Sequence, residues 1–175
     1  LIPEVYFQFL KTGKPQSLEA VFSHHLQDIV SLERLLARIS QALTDPDGDD
    51  CADRCGLGRW LVDSNFPGGV EVLTRAFEAG DSMAGYHLAR YMKRRRDFES
   101  AASVWTAMFE RSMDLHAAFE LSKYAEHRLR DYARAENYAS LIFAAVSESP
   151  DMKSPEPKEA LRHRLERIRT KRSRE

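Results

Sequence analysis

Three basic residues, Arg59, Arg90 and Lys123, occupy the same place in a phrase that the chain repeats. Each follows a leucine and a small residue and precedes an aromatic residue, and the steps between copies are 31 and 33 residues. Cations that recur in this way could form a binding site for a carboxylate-rich peptide or a phosphate backbone. The alternative is that they are solvated surface charges, because arginine and lysine are mostly exposed in any protein. A basic run at residues 93–96 lies close to the middle copy.

A histidine and an aspartate near the start of the chain, His24 and Asp28, are the second candidate pair. They lie in a long segment whose apolar residues recur every three or four positions, as on one face of a helix. A spacing of four places both side chains on the same helix face. From this pattern alone, they are a polar pair beside the apolar stripe.

Two further patterns have the residue types of metal ligands without the full spacing. Asp45, Asp47 and Asp49 resemble the start of a calcium loop, but the twelfth position of that loop is a glycine instead of the required glutamate. Cys51 and Cys55 would need two more ligands to bind zinc, and the chain has no other cysteine. A solvated turn and buried or half-buried thiols are therefore the better interpretations.

The elements that must position these residues are predicted to be helices. Alanine (20) and leucine (18) dominate the 175 residues, and glycine and proline together number 15. No run of valine and isoleucine indicates a buried strand, which excludes an all-β fold and disfavours a doubly wound one. No apolar run approaches the ~18 residues of a membrane span. The absence of a signal peptide pattern and the two cysteines favour a cytoplasmic setting.

The first part of the chain, residues 1–44, is predicted to be helical. A short helix at residues 4–10 should end near Gly13, and a long one should begin with Ser17 as its N-cap and end before Pro46. Residues 45–53 are acidic and contain proline and glycine, so they are interpreted as a linker.

Residues 54–148 are predicted to form a helical repeat. After each basic phrase comes an aromatic residue, with a small residue three positions later and an apolar residue seven positions later. These landmarks are Phe66, Gly69 and Leu73, then Phe98, Ala101 and Trp105, then Tyr132, Ala135 and Ala139. A period near 34 with two helices per unit is typical of a helical solenoid. The pattern resembles the tetratricopeptide repeat family, in which the basic positions of the first helices line a concave groove.

A second resemblance concerns residues 6–13 (YFQFLKTG) and 24–28 (HHLQD). Both resemble the end of a ribonuclease H-like exonuclease domain of the four-acidic-residue type. The chain is also similar to bacterial proteins that fuse this domain to tetratricopeptide repeats, for example at residues 120–128 (ELSKYAEHR). The resemblance implies that Asp28 is the fourth metal-binding acid in the intact protein, with His24 beside it. His25 stands where the family usually has asparagine.

The same resemblance implies a divalent metal, Mg²⁺ or Mn²⁺, in the intact protein. The other three acids of such a centre come from strands that this chain lacks, and one aspartate cannot hold two metal ions. The 175 residues alone are therefore predicted to have no nuclease activity and no cofactor of their own. The chain begins with leucine instead of methionine, so we expect a piece of a longer protein.

The last segment, residues 149–175, is predicted to be a proline-containing connector and a basic capping helix. Leu161, Leu165 and Ile168 form one narrow apolar stripe, and nearly every other residue there is polar or charged. Residues 151–175 carry 9 basic and 5 acidic side chains. This helix could alternatively contact nucleic acid, but it has no aromatic residue that could stack on bases.

The predicted function is a non-catalytic scaffold that binds a protein partner through Arg59, Arg90 and Lys123. It would belong to a protein that resembles a metal-dependent 3′–5′ exonuclease, and we expect no membrane contact. Two alternatives stay open. Asp28 could complete a nuclease site in the intact protein, or the basic row could bind nucleic acid directly.

Overall fold

The computed structural model describes residues 2–45, 53–149 and 154–174 and divides the chain into two compact units, Leu1–Ala52 and Asp53–Glu175. Every regular element within the described ranges is helical, which confirms the all-α class. None of these helices is both long enough and apolar enough to span a membrane. Most of the predicted acidic linker, with Asp47, Asp49 and Cys51, lies outside the described residues.

The first unit contains two helices, α1 (Ile2–Thr12) and α2 (Gln16–Thr44), which pack against each other. The predicted stop after α1 is confirmed, because Gly13 has a positive φ of 64°. The predicted N-cap of α2 is wrong: the helix begins at Gln16 with Pro15 in the cap position, so Ser17 lies inside it. The proline ring already holds φ at a helical value, which allows the helix to begin earlier.

The second unit contains seven α-helices in its described residues, and each packs against the next one along the chain. They are α3 (Arg54–Asp63), α4 (Gly69–Glu78), α5 (Ser82–Arg94), α6 (Phe98–Ser112), α7 (Leu115–Tyr124), α8 (Tyr132–Glu148) and α9 (Lys158–Arg172). A short π-helix, Ala125–Leu129, continues α7. Because α3 also packs against α5, consecutive helix pairs lie side by side.

Aspartate side chains start most of the helices of the second unit. Each accepts a hydrogen bond from a backbone N–H in the first turn, which satisfies a donor that has no partner inside the helix. These N-caps are Asp53 of α3, Asp81 of α5, Asp97 of α6, Asp114 of α7 and Asp131 of α8. The starts of these five helices are therefore encoded by a single residue type.

The first helix pair, α3 and α4, approaches at two glycines. A Cβ atom added to Gly58 would lie 2.8 Å from Leu73 Cγ, and one added to Gly69 would lie 2.8 Å from the Val62 nitrogen. Both distances are shorter than any ordinary carbon contact, so only glycine fits at this crossing. The small residues of the first repeat copy therefore set the spacing of this pair.

The second and third pairs meet at small residues in the same register. Ala89 of α5 and Ala101 of α6 are fully buried. In the third pair, Ser122 donates a hydrogen bond of 3.0 Å to the carbonyl oxygen of Ala135. The large landmarks Leu73, Leu88, Trp105 and Leu121 are also buried.

The turn between the two helices of each pair contains a residue with positive φ: Asn65 (58°), Arg96 (65°) and Arg130 (56°). The third copy has one residue more than the second between its leucine and its aromatic landmark. The extra residue is accommodated by the π-helix, whose wider turn takes up one more residue.

The C-terminal helix α9 packs against α8. Its predicted stripe is buried, since Leu161, Leu165 and Ile168 are 1%, 6% and 0% exposed. Polar contacts add to this packing, because three cationic side chains of α9 form ion pairs with one buried carboxylate, that of Glu126 in the π-helix. The helix thus covers the last repeat pair with both apolar and charged contacts.

Candidate functional site

Three adjoining cavities lie along α3, α5 and α7. We define the first interval as the cavity between α3 and α5, which has a volume of about 210 Å³. The second interval comprises two cavities between α5 and α7, of about 390 and 250 Å³. The first interval and the larger cavity share Arg90 and Arg94, and the two cavities of the second interval share Lys93, Trp105 and Glu120. We call this row the basic groove.

Helical spacing explains why α5 contributes to both intervals. Its groove residues are 1, 4, 7 and 8 positions after Tyr86, which places them on one face of the helix. They are His87, Arg90, Lys93 and Arg94. The opposite face carries Leu88 and Ala89 into the core. The periodicity that buries the core landmarks therefore also places the cations in the groove.

The lining of the basic groove is dominated by positive charge. Its six cations are Arg59, Arg90, Lys93, Arg94, Lys123 and Arg128, and its two carboxylates are Asp63 and Glu120. The side chains come from α3, α5, α7 and the π-helix that continues α7, so their charge adds along the row. Such an excess raises the local concentration of anions and favours an anionic ligand.

Glu120 is the central carboxylate of the second interval. Its side chain is 10% exposed and accepts hydrogen bonds of 2.6 Å from both Lys93 and Lys123. Burial raises its pKa, but the hydrogen bonds from the two lysines outweigh this effect and hold the pKa below its ordinary value. Glu120 is therefore ionised and neutralises part of the charge of the second interval.

The first interval holds a different arrangement. Asp63 lies 2.9 Å from Arg94 and 3.6 Å from Arg59, and the hydrogen bond from Arg94 lowers its pKa. Arg90 forms no hydrogen bond or ion pair within the ranges that the structure describes, and its side chain is exposed. One guanidinium is thus free to bind a ligand from solution.

Aromatic rings support the cations of the groove. Arg128 lies over the ring of Phe98 at 3.8 Å, and Lys93 lies 5.7 Å from the ring centre of Trp105. Trp105 itself is 4% exposed and forms the floor of the second interval. It positions cations and leaves little ring surface for a ligand to stack on.

The predicted row is present as geometry, since Arg59, Arg90 and Lys123 all line the basic groove. Their binding role stays a prediction. The sequence interpretation did not include Glu120 or His87 in the site. Each residue directly precedes the repeated leucine, so extending the repeated phrase by one position toward the N-terminus would have found both.

The predicted nuclease residues lie in the first unit. His24 Nδ1 is 3.2 Å from Asp28 Oδ1, and both side chains are more than half exposed. In the described part of the chain, no three residues of the types His, Cys, Asp or Glu are placed to hold a metal ion. One carboxylate and one imidazole are too few ligands for a two-metal centre.

Of the two cysteines, the structure describes Cys55. It is partly buried and forms no disulfide. Burial and the charge of Asp81 raise the pKa of its thiol. Cys55 is thus a neutral thiol at neutral pH, which suits a packing role more than a reactive one.

Comparison with known proteins relates the start of the chain to nucleases. A family model described as the RNase_H superfamily matches residues 1–40. A curated relative, the "Uncharacterized protein YprB" of Bacillus subtilis (strain 168), is 25% identical over 146 residues, which cover 77% of this chain and 35% of the relative. The chain thus spans about a third of that protein's length. No solved structure matches the chain. The two matches support a ribonuclease H-like region at the start of the chain.

Proposed function

We propose that the second unit is a non-catalytic, tetratricopeptide-like scaffold that holds a nucleic-acid strand by its phosphates. In the intact protein, it would present this strand to a ribonuclease H-like nuclease. The single observation that carries the proposal is the basic groove, in which α3, α5, α7 and the π-helix that continues α7 place six cations and two carboxylates. Phosphate contacts of this kind need no base recognition and tolerate any sequence.

Two features of the fold support the tetratricopeptide-like assignment. The three helix pairs cross at small residues in one register, at Gly58, Ala89 and Ser122 of the first helices. The groove cations other than Arg128 also lie on the first helix of each pair, where the repeat family places its concave surface. The π-helix is a departure from the regular repeat and is confined to the last copy.

A protein partner is the second candidate, and Glu120 is the observation that favours it. A carboxylate in the middle of the groove would repel a phosphate backbone but could accept hydrogen bonds from the backbone or a lysine of a bound peptide. The surrounding cations would then bind carboxylates of an acidic segment. The excess of cations and the ribonuclease H-like region make the nucleic acid the better-supported ligand.

The test is the binding of a labelled single-stranded oligonucleotide to the full chain at several salt concentrations. Replacing Arg90 and Lys123 by glutamine should weaken binding and reduce the slope of log K against log salt by about 1.4, because each lost single-strand phosphate contact contributes ~0.7. The matched control replaces Arg134 and Arg174, two exposed arginines that line none of the three cavities.

Binding that is absent, insensitive to salt, or weakened equally by the control variant would contradict the proposal. An acidic polyglutamate peptide provides the other arm of the test. If the peptide binds more tightly than the oligonucleotide, and the groove variant loses this binding, the protein partner replaces the strand as the ligand.

A further inference from the structure

The two intervals of the basic groove carry different residues at equivalent repeat positions. The residue before the repeated leucine is His87 in the first interval and Glu120 in the second. The next basic position of the phrase is Arg90 in the first interval and Lys123 in the second. The first interval therefore has an imidazole at the place where the second interval has a carboxylate.

In the second interval, the carboxylate of Glu120 lies between cations of two consecutive first helices. Lys93 comes from α5 and Lys123 from α7, and both are 2.6 Å from it. The carboxylate is built into the chain and almost fully buried. This arrangement is an internal example of an anion bound between neighbouring first helices.

In the first interval, three guanidinium groups line the same cavity as His87. Arg59 and Arg94 pair with its single carboxylate, that of Asp63, whereas Arg90 makes no ion pair with any residue that the structure describes. The apolar residues of this lining are only Val62 and Leu73. The cavity is thus polar and carries three guanidinium groups against one carboxylate.

We propose that the first interval is a subsite for one phosphate group of the bound strand, held by the guanidinium groups of Arg59, Arg90 and Arg94. This proposal rests on the proposed function and names the group that the groove binds there. Guanidinium groups suit this role because they donate paired hydrogen bonds to two phosphate oxygens. The phosphate would come from the end of a strand or from an internal diester.

His87 provides a reporter inside the subsite. Burial, followed by the charges of Arg59 and Arg90, lowers its pKa, whereas Asp63 and Asp81 raise it. A phosphate beside the imidazole would favour its protonated form and raise the pKa. Binding at this subsite should therefore be coupled to proton uptake by His87.

The first experiment titrates the His87 ring by NMR in the full chain, with inorganic phosphate as the probe and chloride of equal ionic strength as the reference. The signals are assigned by their loss in His87→Gln. Phosphate should raise the pKa of His87 in the wild type, and this rise should vanish in the double variant Arg59→Gln, Arg90→Gln. A His87 pKa that is unchanged by phosphate overturns the subsite.

The second experiment compares oligonucleotides of one sequence with a 5′-phosphate, a 3′-phosphate or free hydroxyl ends. The first-interval variant is Arg59→Gln, Arg90→Gln. We expect its affinity for the oligonucleotide to fall about tenfold or more, as for the loss of a charged hydrogen bond. The matched variant Lys123→Gln, Arg128→Gln removes the same charge from the second interval and should lose less. A loss that is equal in both variants, or larger in the second, overturns the subsite.

The comparison of the three kinds of oligonucleotide end identifies the source of the phosphate. A preference for one phosphorylated end that disappears only in the first-interval variant assigns the subsite to a strand end, and equal binding of all three oligonucleotides assigns it to an internal diester. If phosphate shifts the pKa of His87 but no oligonucleotide binds, the subsite stands and the proposed strand-binding function fails.

Discussion

The two units of the chain use similar helical sequences in opposite ways. In the second unit, the periodic leucines are buried, and Leu88 is 2% exposed. In the first unit, the stripe of α2 is exposed, and Leu32 is 65% exposed. Apolar periodicity thus establishes that a helix forms and which side is apolar, but the neighbouring helices decide whether that side is covered. Within the described residues, each apolar helix face of the second unit is covered by another helix of that unit. In the first unit, α1 does not cover the apolar stripe of α2.

The exposed stripe of α2 lies almost entirely within residues 1–40, which match the RNase_H superfamily model. We propose that the apolar side of α2 is covered by further structure of a ribonuclease H-like domain in the intact protein. A helix that is strongly amphipathic and largely exposed is otherwise prone to self-association. The second unit needs no further structure to cover its apolar faces, because its core is formed from its own helices.

The largest expected effect comes from truncating a leucine in each unit. Leu88→Ala should destabilise the second unit by about 3–4 kcal/mol, because it leaves a cavity in a closely packed core. Leu32→Ala should change stability by less than about 0.5 kcal/mol, as expected for an exposed side chain. Urea unfolding followed by circular dichroism measures both.

Tryptophan fluorescence makes this test specific to the second unit, since both tryptophans of the chain, Trp60 and Trp105, lie there. A Leu32→Ala variant that shifts the fluorescence transition as far as Leu88→Ala would break the distinction between the two units. It would mean that the second unit depends on the stripe of α2 for its stability.

The next effect concerns the carboxylate that holds α9. Glu126 is 2% exposed and accepts hydrogen bonds of 2.8, 3.0 and 2.8 Å from Arg164, Arg167 and Lys171. Glu126→Gln should cost about 2–3 kcal/mol, less than a fully buried ion pair because two of these cations are partly exposed. Thermal unfolding measures the loss, and Glu166→Gln on the exposed side of α9 is the matched control.

Low pH should remove the stabilisation that the Glu126 carboxylate provides. Burial raises the pKa of Glu126, but the hydrogen bonds from Lys171 and Arg167 outweigh this and hold the folded-state pKa below the ordinary value of 4.5. A lowered pKa stabilises the fold above the unfolded value, and this stabilisation is lost as the pH falls through the folded value. The stability gap between wild type and Glu126→Gln should therefore be constant near neutral pH and narrow below pH 4.5. A gap that widens in acid would contradict this assignment.

The smallest effect sharpens the account of helix spacing. Gly58→Ala adds a Cβ that would lie 2.8 Å from Leu73 Cγ, so the α3–α4 pair must separate or Leu73 must move. We expect a loss of about 1–2 kcal/mol from overpacking. Gly13→Ala is not an equivalent control, because Gly13 has a positive φ, and an exposed site such as Ser103→Ala serves better. Equal stability of the two variants would show that the close approach is not needed.

The sequence was sufficient for features that depend on local periodicity. The helix positions, the small residues at the helix crossings and the row of Arg59, Arg90 and Lys123 all follow from spacing along the chain. Contacts between distant residues were not predictable in the same way. Glu126 and its partners are 38 to 45 residues apart, and no local pattern marks them as neighbours. The exposed stripe of α2 was equally hidden, because an amphipathic sequence does not reveal what covers it.

The π-helix of the third copy limits how such an array can grow. One added residue ends α7 with a wider turn, and this turn contains the carboxylate to which α9 is bound. A duplicated helix pair placed after the third copy would compete with α9 for the same surface and would leave Glu126 without its cations. A pair inserted ahead of that copy would meet only regular crossings at small residues. Lengthening of this protein by duplication is thus compatible with its early copies and blocked at its last one.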